Sequence, residues 1–154
     1  MKKKVYVLTL SERFPFYHPK AGEATGFKDK LLKEKHHTVR GNAEFWEGRA
    51  RKINDHLAVL SIRVWVGKPY AKGSTQRELA CLDHLNCQRV TLGTLDGKPF
   101  AHVETGTRKG KDIPVGRIAR NDGLSRNDFI DWFRLMTIPK DFHGVILHLT
   151  DTRY

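Results

Sequence analysis

Apolar and polar residues alternate strictly over residues 57–66. In an extended chain the side chains of alternate residues point to the same face. One face is therefore apolar and carries Ala58, Leu60, Ile62, Val64 and Val66, whereas the other carries Ser61, Arg63 and Trp65. This period of two predicts a β-strand with one buried face, and its length suits a central position in a sheet.

Shorter apolar runs predict further strands at residues 5–10, 77–82, 88–92, 99–103 and 145–149. Turn-forming segments separate several of them, such as Gly-Thr-Leu-Asp-Gly at 93–97 and the polar stretch 104–112. Several short strands at such intervals favour a small barrel. We therefore expect an α+β fold built on a β-barrel of about five to six strands flanked by helices.

Two segments have the spacing of amphipathic helices. In residues 27–35, Phe27 and Leu31 share one face and charged residues occupy the others. The second helix follows Ser125, a good N-cap residue, with Leu124 and Phe129 placed to form a hydrophobic staple. Its apolar stripe of Phe129, Trp132, Phe133 and Met136 is typical of a helix packed on a core.

Composition indicates one folded domain over residues 1–154. The 154 residues are 39% hydrophobic and 29% charged, no internal repeat or linker is visible, and one core suffices at this length. The apolar run at 5–10 is too short for an export signal, and no run is long enough to span a bilayer. Two cysteines do not make a disulfide framework, so we expect reduced thiols, a cytoplasmic location and no membrane partner.

Charge adds an expectation about partners. Lys and Arg number 28 against 17 Asp and Glu, which gives a formal net charge of +11 and a pI near 9.9. Such an excess suits a polyanionic partner and favours nucleic acid over a merely solubilising surface.

The segment 35–40, Lys-His-His-Thr-Val-Arg, combines several groups that bind anions. It lies where the first predicted helix ends and an extended segment begins. Thr38 and Arg40 share a face on an extended chain, and Lys35 joins them if the chain turns in between. A structural role is the alternative, with Lys35 as a solvated cation at the helix end and Arg40 as a surface partner of Glu44.

The chain resembles the ASCH domain family, whose fold is like that of the PUA RNA-binding domain. The resemblance rests on residues 32–40, on Trp46, on Trp-Val-Gly-Lys-Pro-Tyr at 65–70 and on Asn-Asp-Gly-Leu-Ser at 121–125. It covers about half of the chain. It implies a PUA-like barrel flanked by helices, with a cleft beside Lys35, Thr38 and Arg40 that binds RNA or a nucleotide-like molecule.

Some bacterial ASCH proteins are amidohydrolases that deacetylate acetylcytidine with a lysine, a threonine and a glutamate. The resemblance places the lysine on Lys35 and the threonine on Thr38, and Asp122 stands where the family has its glutamate. Thr38 would then be the nucleophile, Lys35 the base, Arg40 an oxyanion donor and Asp122 the acid. Asp122 is alternatively a turn residue ahead of Gly123.

Other side chains are candidates for the rim of such a cleft. Arg63, Lys68 and Tyr70 are expected to contact ligand, Trp65 is either a stacking platform or core, and Trp46 is expected in the core. Arg108 and Lys109, on a basic loop at 106–112, are placed to reach phosphates.

No metal or cofactor is expected. His36 and His37 point to opposite faces of an extended chain, and Cys81, His84 and Cys87 offer only three ligands at unusual spacing, so buried thiols are the preferred interpretation. The principal hypothesis is a binding module for RNA or a modified nucleoside. The alternatives are an amidohydrolase and a protein-interaction adaptor.

Overall fold

The computed structural model describes residues 2–154 and shows an α+β fold. Within that range the chain forms eight strands and four helices. The strands are β1 (Lys4–Thr9), β2 (His37–Arg40), β3 (Ala58–Val66), β4 (Thr75–Leu82), β5 (Asn86–Leu95), β6 (Lys98–Val103), β7 (Lys111–Ile113) and β8 (Phe142–His148). The helices are α1 (Phe27–Lys30), α2 (Ala43–Asn54), α3 (Val115–Asn121) and α4 (Arg126–Trp132).

The expectation of a PUA-like β-barrel with five to six strands is wrong. The strands that the structure describes lie in two open sheets, one with the order β1-β3-β4 and one with the order β2-β8-β5-β6-β7. β1 pairs with β3 in parallel, while the second sheet is antiparallel throughout. The spacing of apolar runs along the sequence predicts the number of strands but does not specify which strand edges pair. The strands β2 and β7 are not among the predicted ones.

The strand predicted from strict alternation is confirmed as β3, the central strand of its sheet. Ala58, Leu60, Ile62 and Val64 are buried, as the pattern predicts, and only Val66 at the end of the strand is exposed. Ser61 on the opposite face is also buried, and its hydroxyl donates a hydrogen bond to Glu78 on β4 at 2.6 Å. A side chain of β4 thus covers part of the polar face of β3.

Helix α2 was not predicted, although it contacts β3 of the first sheet and β5 and β8 of the second. Its buried residues Trp46, Ala50 and Ile53 recur at the helical spacing of four and three. They belong to one core cluster shared by both sheets. Trp46 is therefore in the core, as expected.

Helix α1 is much shorter than the predicted helix at 27–35, because it ends at Lys30. The chain then turns, with Leu32 at a φ of 65° and its N–H donating to the carbonyl of Lys35 at 3.0 Å. This turn points Lys35 into the protein, where only 1% of the residue is exposed. The alternative of a solvated lysine at a helix end is thereby excluded.

Helix α4 begins as predicted, with the Ser125 hydroxyl accepting from the N–H of Asp128 at 3.1 Å. Leu124 and Phe129 are both buried, as a hydrophobic staple requires. The helix ends at Trp132, so Met136, predicted in the same stripe, lies beyond it and is exposed.

Both cysteines are free thiols, but Cys81 is exposed rather than buried. No helix within residues 2–154 combines the length and the hydrophobicity that crossing a membrane would take.

Candidate ligand-binding site

Two adjoining cavities lie where β1, β2 and β3 end. The larger, here called the outer cleft, has a volume of about 720 Å³ and is lined by Thr9, Leu10, Ser11, Glu12, Arg13, Arg40, Trp65, Gly67, Lys68, Pro69 and Tyr70. The smaller, here called the inner cavity, has about 160 Å³ and is lined by Ser11, Phe27, Lys35, Thr38, Val39, Arg40, Asp122, Trp132 and Phe133. Ser11 and Arg40 line both, so the two spaces adjoin, and together they make up the candidate site.

A buried ion pair between Lys35 and Asp122 lies at the wall of the inner cavity. The Lys35 ammonium donates to Asp122 Oδ1 at 2.7 Å and to the Asp122 backbone carbonyl at 2.9 Å. It also lies 4.0 Å from the centre of the Phe27 ring, a cation–π distance. Lys35 and Asp122 are 1% and 4% exposed, so water does little to screen the pair.

Backbone contacts hold the two partners together. Lys35 and Asp122 form an isolated antiparallel bridge, and the N–H of His36 donates to the carbonyl of Asn121 at 2.6 Å. Asp122 follows the last residue of α3, and Gly123 then turns the chain with a φ of +81°. A Cβ on Gly123 would lie 3.1 Å from Lys35 Cβ, so this close approach depends on glycine.

Burial shifts the pKa of each partner toward its neutral form, and the charge of the other partner opposes that shift. Burial lowers the pKa of Lys35, with Arg40 and Lys30 adding to the effect, and the Asp122 carboxylate only partly opposes it. Burial alone would raise the pKa of Asp122, but Lys35 and His37 outweigh it and the pKa falls below its usual value. Asp122 is therefore a carboxylate at neutral pH, and Lys35 gives up its proton more readily than an ordinary lysine.

Thr38 and Arg40 both line the inner cavity, as expected from their two-residue spacing on β2. Arg40 donates from Nη2 to the backbone carbonyl of Thr9 on β1 at 2.8 Å, which connects the two sheets at the site. Burial lowers the pKa of Arg40, and the charge of Asp122 opposes that shift. Arg40 is thus held by backbone rather than by Glu44, the expected alternative.

A layer of buried polar side chains behind the ion pair was not predicted. The His37 ring is fully buried, with Nε2 2.6 Å from the Tyr154 hydroxyl and Nδ1 3.8 Å from Asp122 Oδ1. Asn121 Nδ2 donates to the same Tyr154 hydroxyl at 2.8 Å. The sequence shows only two adjacent histidines, and nothing in it marks one as buried, because Tyr154 is 117 residues away.

The rim of the outer cleft carries an aromatic pair and cations. The rings of Trp65 and Tyr70 lie 4.9 Å apart between centres, and Tyr70 is 87% exposed. Lys68 and Arg13 line the same cleft. Gly67, with a φ of +95°, lets the chain turn back at the end of β3 so that Tyr70 reaches Trp65.

Three predicted ligand contacts do not join this site. Arg63 is absent from the lining of both cavities and donates to Ser61 Oγ at 2.8 Å. Arg108 and Lys109 line a separate cavity of about 620 Å³ beside β5 and β6, which shares no lining residue with the outer cleft.

Chemically, the site combines an open cleft within the size range of small-molecule pockets with a narrow polar recess. The cleft offers aromatic faces and positive charge, and the recess offers a hydroxyl, an ammonium group and a carboxylate. Within residues 2–154, no three His, Cys, Asp or Glu side chains are grouped as a metal site would need. Comparison of the chain with protein-family models, with curated proteins and with solved structures gives no significant match.

Proposed function

We propose that this protein binds RNA or a nucleotide-like molecule in the outer cleft, with one group of the ligand entering the inner cavity. The position of Arg40 carries the proposal. Arg40 lines both spaces, and a guanidinium group pairs well with phosphate or with a base edge. A ligand that spans the two cavities contacts Arg40 with its central part.

The remaining groups of the cleft suit the same class of ligand. An unpaired base stacks favourably on exposed aromatic rings, and Trp65 and Tyr70 offer such a platform. Lys68 and Arg13 provide positive charge beside it. The net charge of +11 favours the approach of a polyanion, and the resemblance of residues 32–40 to ASCH proteins supports the proposal from the sequence.

Binding of a short fluorescent single-stranded RNA tests this proposal. We expect affinity to fall steeply between about 50 and 200 mM salt, because bound phosphates release counterions. Tyr70→Ala should weaken binding by about tenfold, the usual loss when a stacking ring is removed. Phe16→Ala is the matched control, because Phe16 is 90% exposed and does not line the cleft.

Lysine variants provide a second comparison in the same assay. Lys68→Ala should weaken binding and reduce the salt dependence, whereas Lys109→Ala, at the separate cavity, should change neither. Equal losses in both variants, or no RNA binding at low salt, would contradict the proposed site.

A second candidate function is hydrolysis of an acylated nucleoside such as acetylcytidine. The observation that favours it is the meeting of Lys35, Thr38 and Asp122 at one small cavity. In this mechanism the Thr38 hydroxyl attacks the acyl carbonyl carbon while neutral Lys35 accepts its proton. Because the pKa of Asp122 is lowered, the carboxylate orients Lys35, and the Lys35 ammonium returns the proton to the leaving amine. Water then attacks the acyl ester on Thr38 with neutral Lys35 as the base, which releases the carboxylic acid and restores the Thr38 hydroxyl.

Ultraviolet absorbance of acetylcytidine mixed with the purified protein separates the two functions. Hydrolysis predicts a spectral change that Thr38→Ala abolishes and that Thr38→Ser partly restores. A spectrum that stays constant while RNA still binds leaves binding as the function, and turnover in Thr38→Ala removes Thr38 as the nucleophile.

A further inference from the structure

The buried layer behind the ion pair contains a polar atom without a partner. His37 Nδ1 is fully buried and forms no hydrogen bond within the part of the chain that the structure describes. It faces Asp122 Oδ1 at 3.8 Å, beyond hydrogen-bonding distance but close enough for a small movement to close the gap. Buried polar atoms are seldom left unpaired, so this one needs an explanation.

The hydrogen bonds around Tyr154 favour one nitrogen of His37 as the carrier of the proton. Asn121 Nδ2 donates to the Tyr154 hydroxyl oxygen at 2.8 Å. The hydroxyl proton is then free to be donated to His37 Nε2, 2.6 Å away, which accepts it through its lone pair. A neutral imidazole has one donor and one acceptor nitrogen, so this arrangement of the Tyr154 proton places the proton of His37 on Nδ1.

The same result follows from the charge that Nδ1 faces. A lone pair on Nδ1 would be repelled by the Asp122 carboxylate, whereas an N–H group is attracted to it. The chain of donors therefore runs from Asn121 through Tyr154 to His37 and ends with an N–H aimed at Asp122. That oxygen is already occupied, since Lys35 donates to Oδ1 at 2.7 Å.

We propose that His37 is a positioning residue that serves as a reserve hydrogen-bond donor for Asp122. When Lys35 turns from Asp122 into the inner cavity, His37 Nδ1–H takes its place on Oδ1. A buried carboxylate that loses its hydrogen-bonded cation is strongly destabilised, so a second donor lowers the cost of releasing Lys35. The exchange of Lys35 for His37 as the donor to Asp122 is inferred from the geometry of the buried layer. Its use in ligand capture rests on the proposed function.

The exchange can be tested without any ligand by removing the ammonium group with Lys35→Met, a side chain of similar length. We expect nitrogen NMR to find His37 as the Nδ1–H tautomer in the wild type. In Lys35→Met the Nδ1 proton should move downfield, because it now donates to Asp122. An Nε2–H tautomer, or an Nδ1 proton that is unchanged in Lys35→Met, would overturn the proposal.

A double-mutant cycle provides a stability readout that does not depend on NMR. His37→Leu should lower the folding equilibrium constant by about tenfold more in the Lys35→Met background than in the wild type, since there His37 is the remaining donor. His37→Asn keeps a donor near the position of Nδ1 and should restore part of this loss. Additive effects of His37→Leu and Lys35→Met would refute the exchange.

His36→Leu is the matched control, because His36 is the neighbouring imidazole and lies 3.2 Å from Thr150 Oγ1 instead. Its effect should be the same in both backgrounds. A final arm adds single-stranded RNA to the wild type, where binding should shift the His37 Nδ1 proton as Lys35→Met does. Absence of RNA binding counts against the proposed function alone, whereas binding that leaves the His37 proton unmoved refutes the role of the exchange in capture.

Discussion

At the residue scale, the site depends on Lys35 and Asp122, two buried side chains whose pKa values both lie below their usual values. Lys35 and Asp122 are both buried and compensate each other across 2.7 Å. Replacing both by apolar residues can be tolerated in such pairs, whereas removing one leaves an unpaired charge. The pair is therefore better explained by its place at the cavity than by a need for stability.

His148 makes the stability of the protein sensitive to mild acid. Burial, helped by the charge of Arg153, lowers its pKa to about 3. Between about pH 6.5 and pH 3 the unfolded chain binds a proton at this residue that the folded protein does not. The free energy of unfolding should therefore decrease as the pH falls through this window, by up to about 1.4 kcal/mol per pH unit.

Urea unfolding at a series of pH values measures this slope. His148→Leu should flatten it by about one proton, although the variant also loses the 2.7 Å hydrogen bond to Gln88. His143→Leu is the control, because His143 lies on the same strand but is exposed and should keep the slope. An unchanged slope in His148→Leu would show that another group binds the proton.

At the element scale, the turn after α3 places Asp122 against Lys35. Gly123→Ala should destabilise the protein by about 2 kcal/mol, because alanine resists a φ of +81° and its Cβ would press on Lys35 Cβ at 3.1 Å. Gly22→Ala is a matched control with a φ of +82° and nothing within 4 Å of the added Cβ.

The difference between these two glycine variants isolates the contact with Lys35. The melting temperature and the RNA affinity should both fall further in Gly123→Ala than in Gly22→Ala. Equal losses of stability would mean that backbone conformation alone matters at Gly123.

The elements that sequence analysis found and missed differ in how they are stabilised. β3 and α4 have strong local signals, namely strict alternation in one and the Ser125 cap in the other. α3 has no side-chain N-cap and β7 is only three residues long, so packing rather than a local pattern stabilises them. The prediction for α1 is too long because Leu31 continues the helical spacing from Phe27, although residues 31–35 form a turn.

At the scale of the whole molecule, α2 connects the two sheets through one shared core. We therefore expect a single cooperative unfolding transition, with tryptophan fluorescence and circular dichroism changing together in urea. Ile53→Ala should cost about 2–5 kcal/mol, because Ile53 is fully buried in the shared core.

Leu57→Ala is the control for this prediction, because Leu57 is 60% exposed and its loss should cost little. If Ile53→Ala separated the fluorescence and circular dichroism transitions, the sheets would be independent folding units.

The sequence by itself determined the α+β composition, the central strand β3, the capped start of α4 and the shared face of Thr38 and Arg40. Each depends on residues within a few positions of one another, where period and capping act directly. Only the tertiary structure decided that the sheets stay open, that Lys35 turns inward, and that Asp122, His37 and Tyr154 meet behind it. The contacts among Lys35, His37, Asp122 and Tyr154 join residues 85 to 117 positions apart, and edge pairing and burial over such separations leave no periodic trace in the sequence.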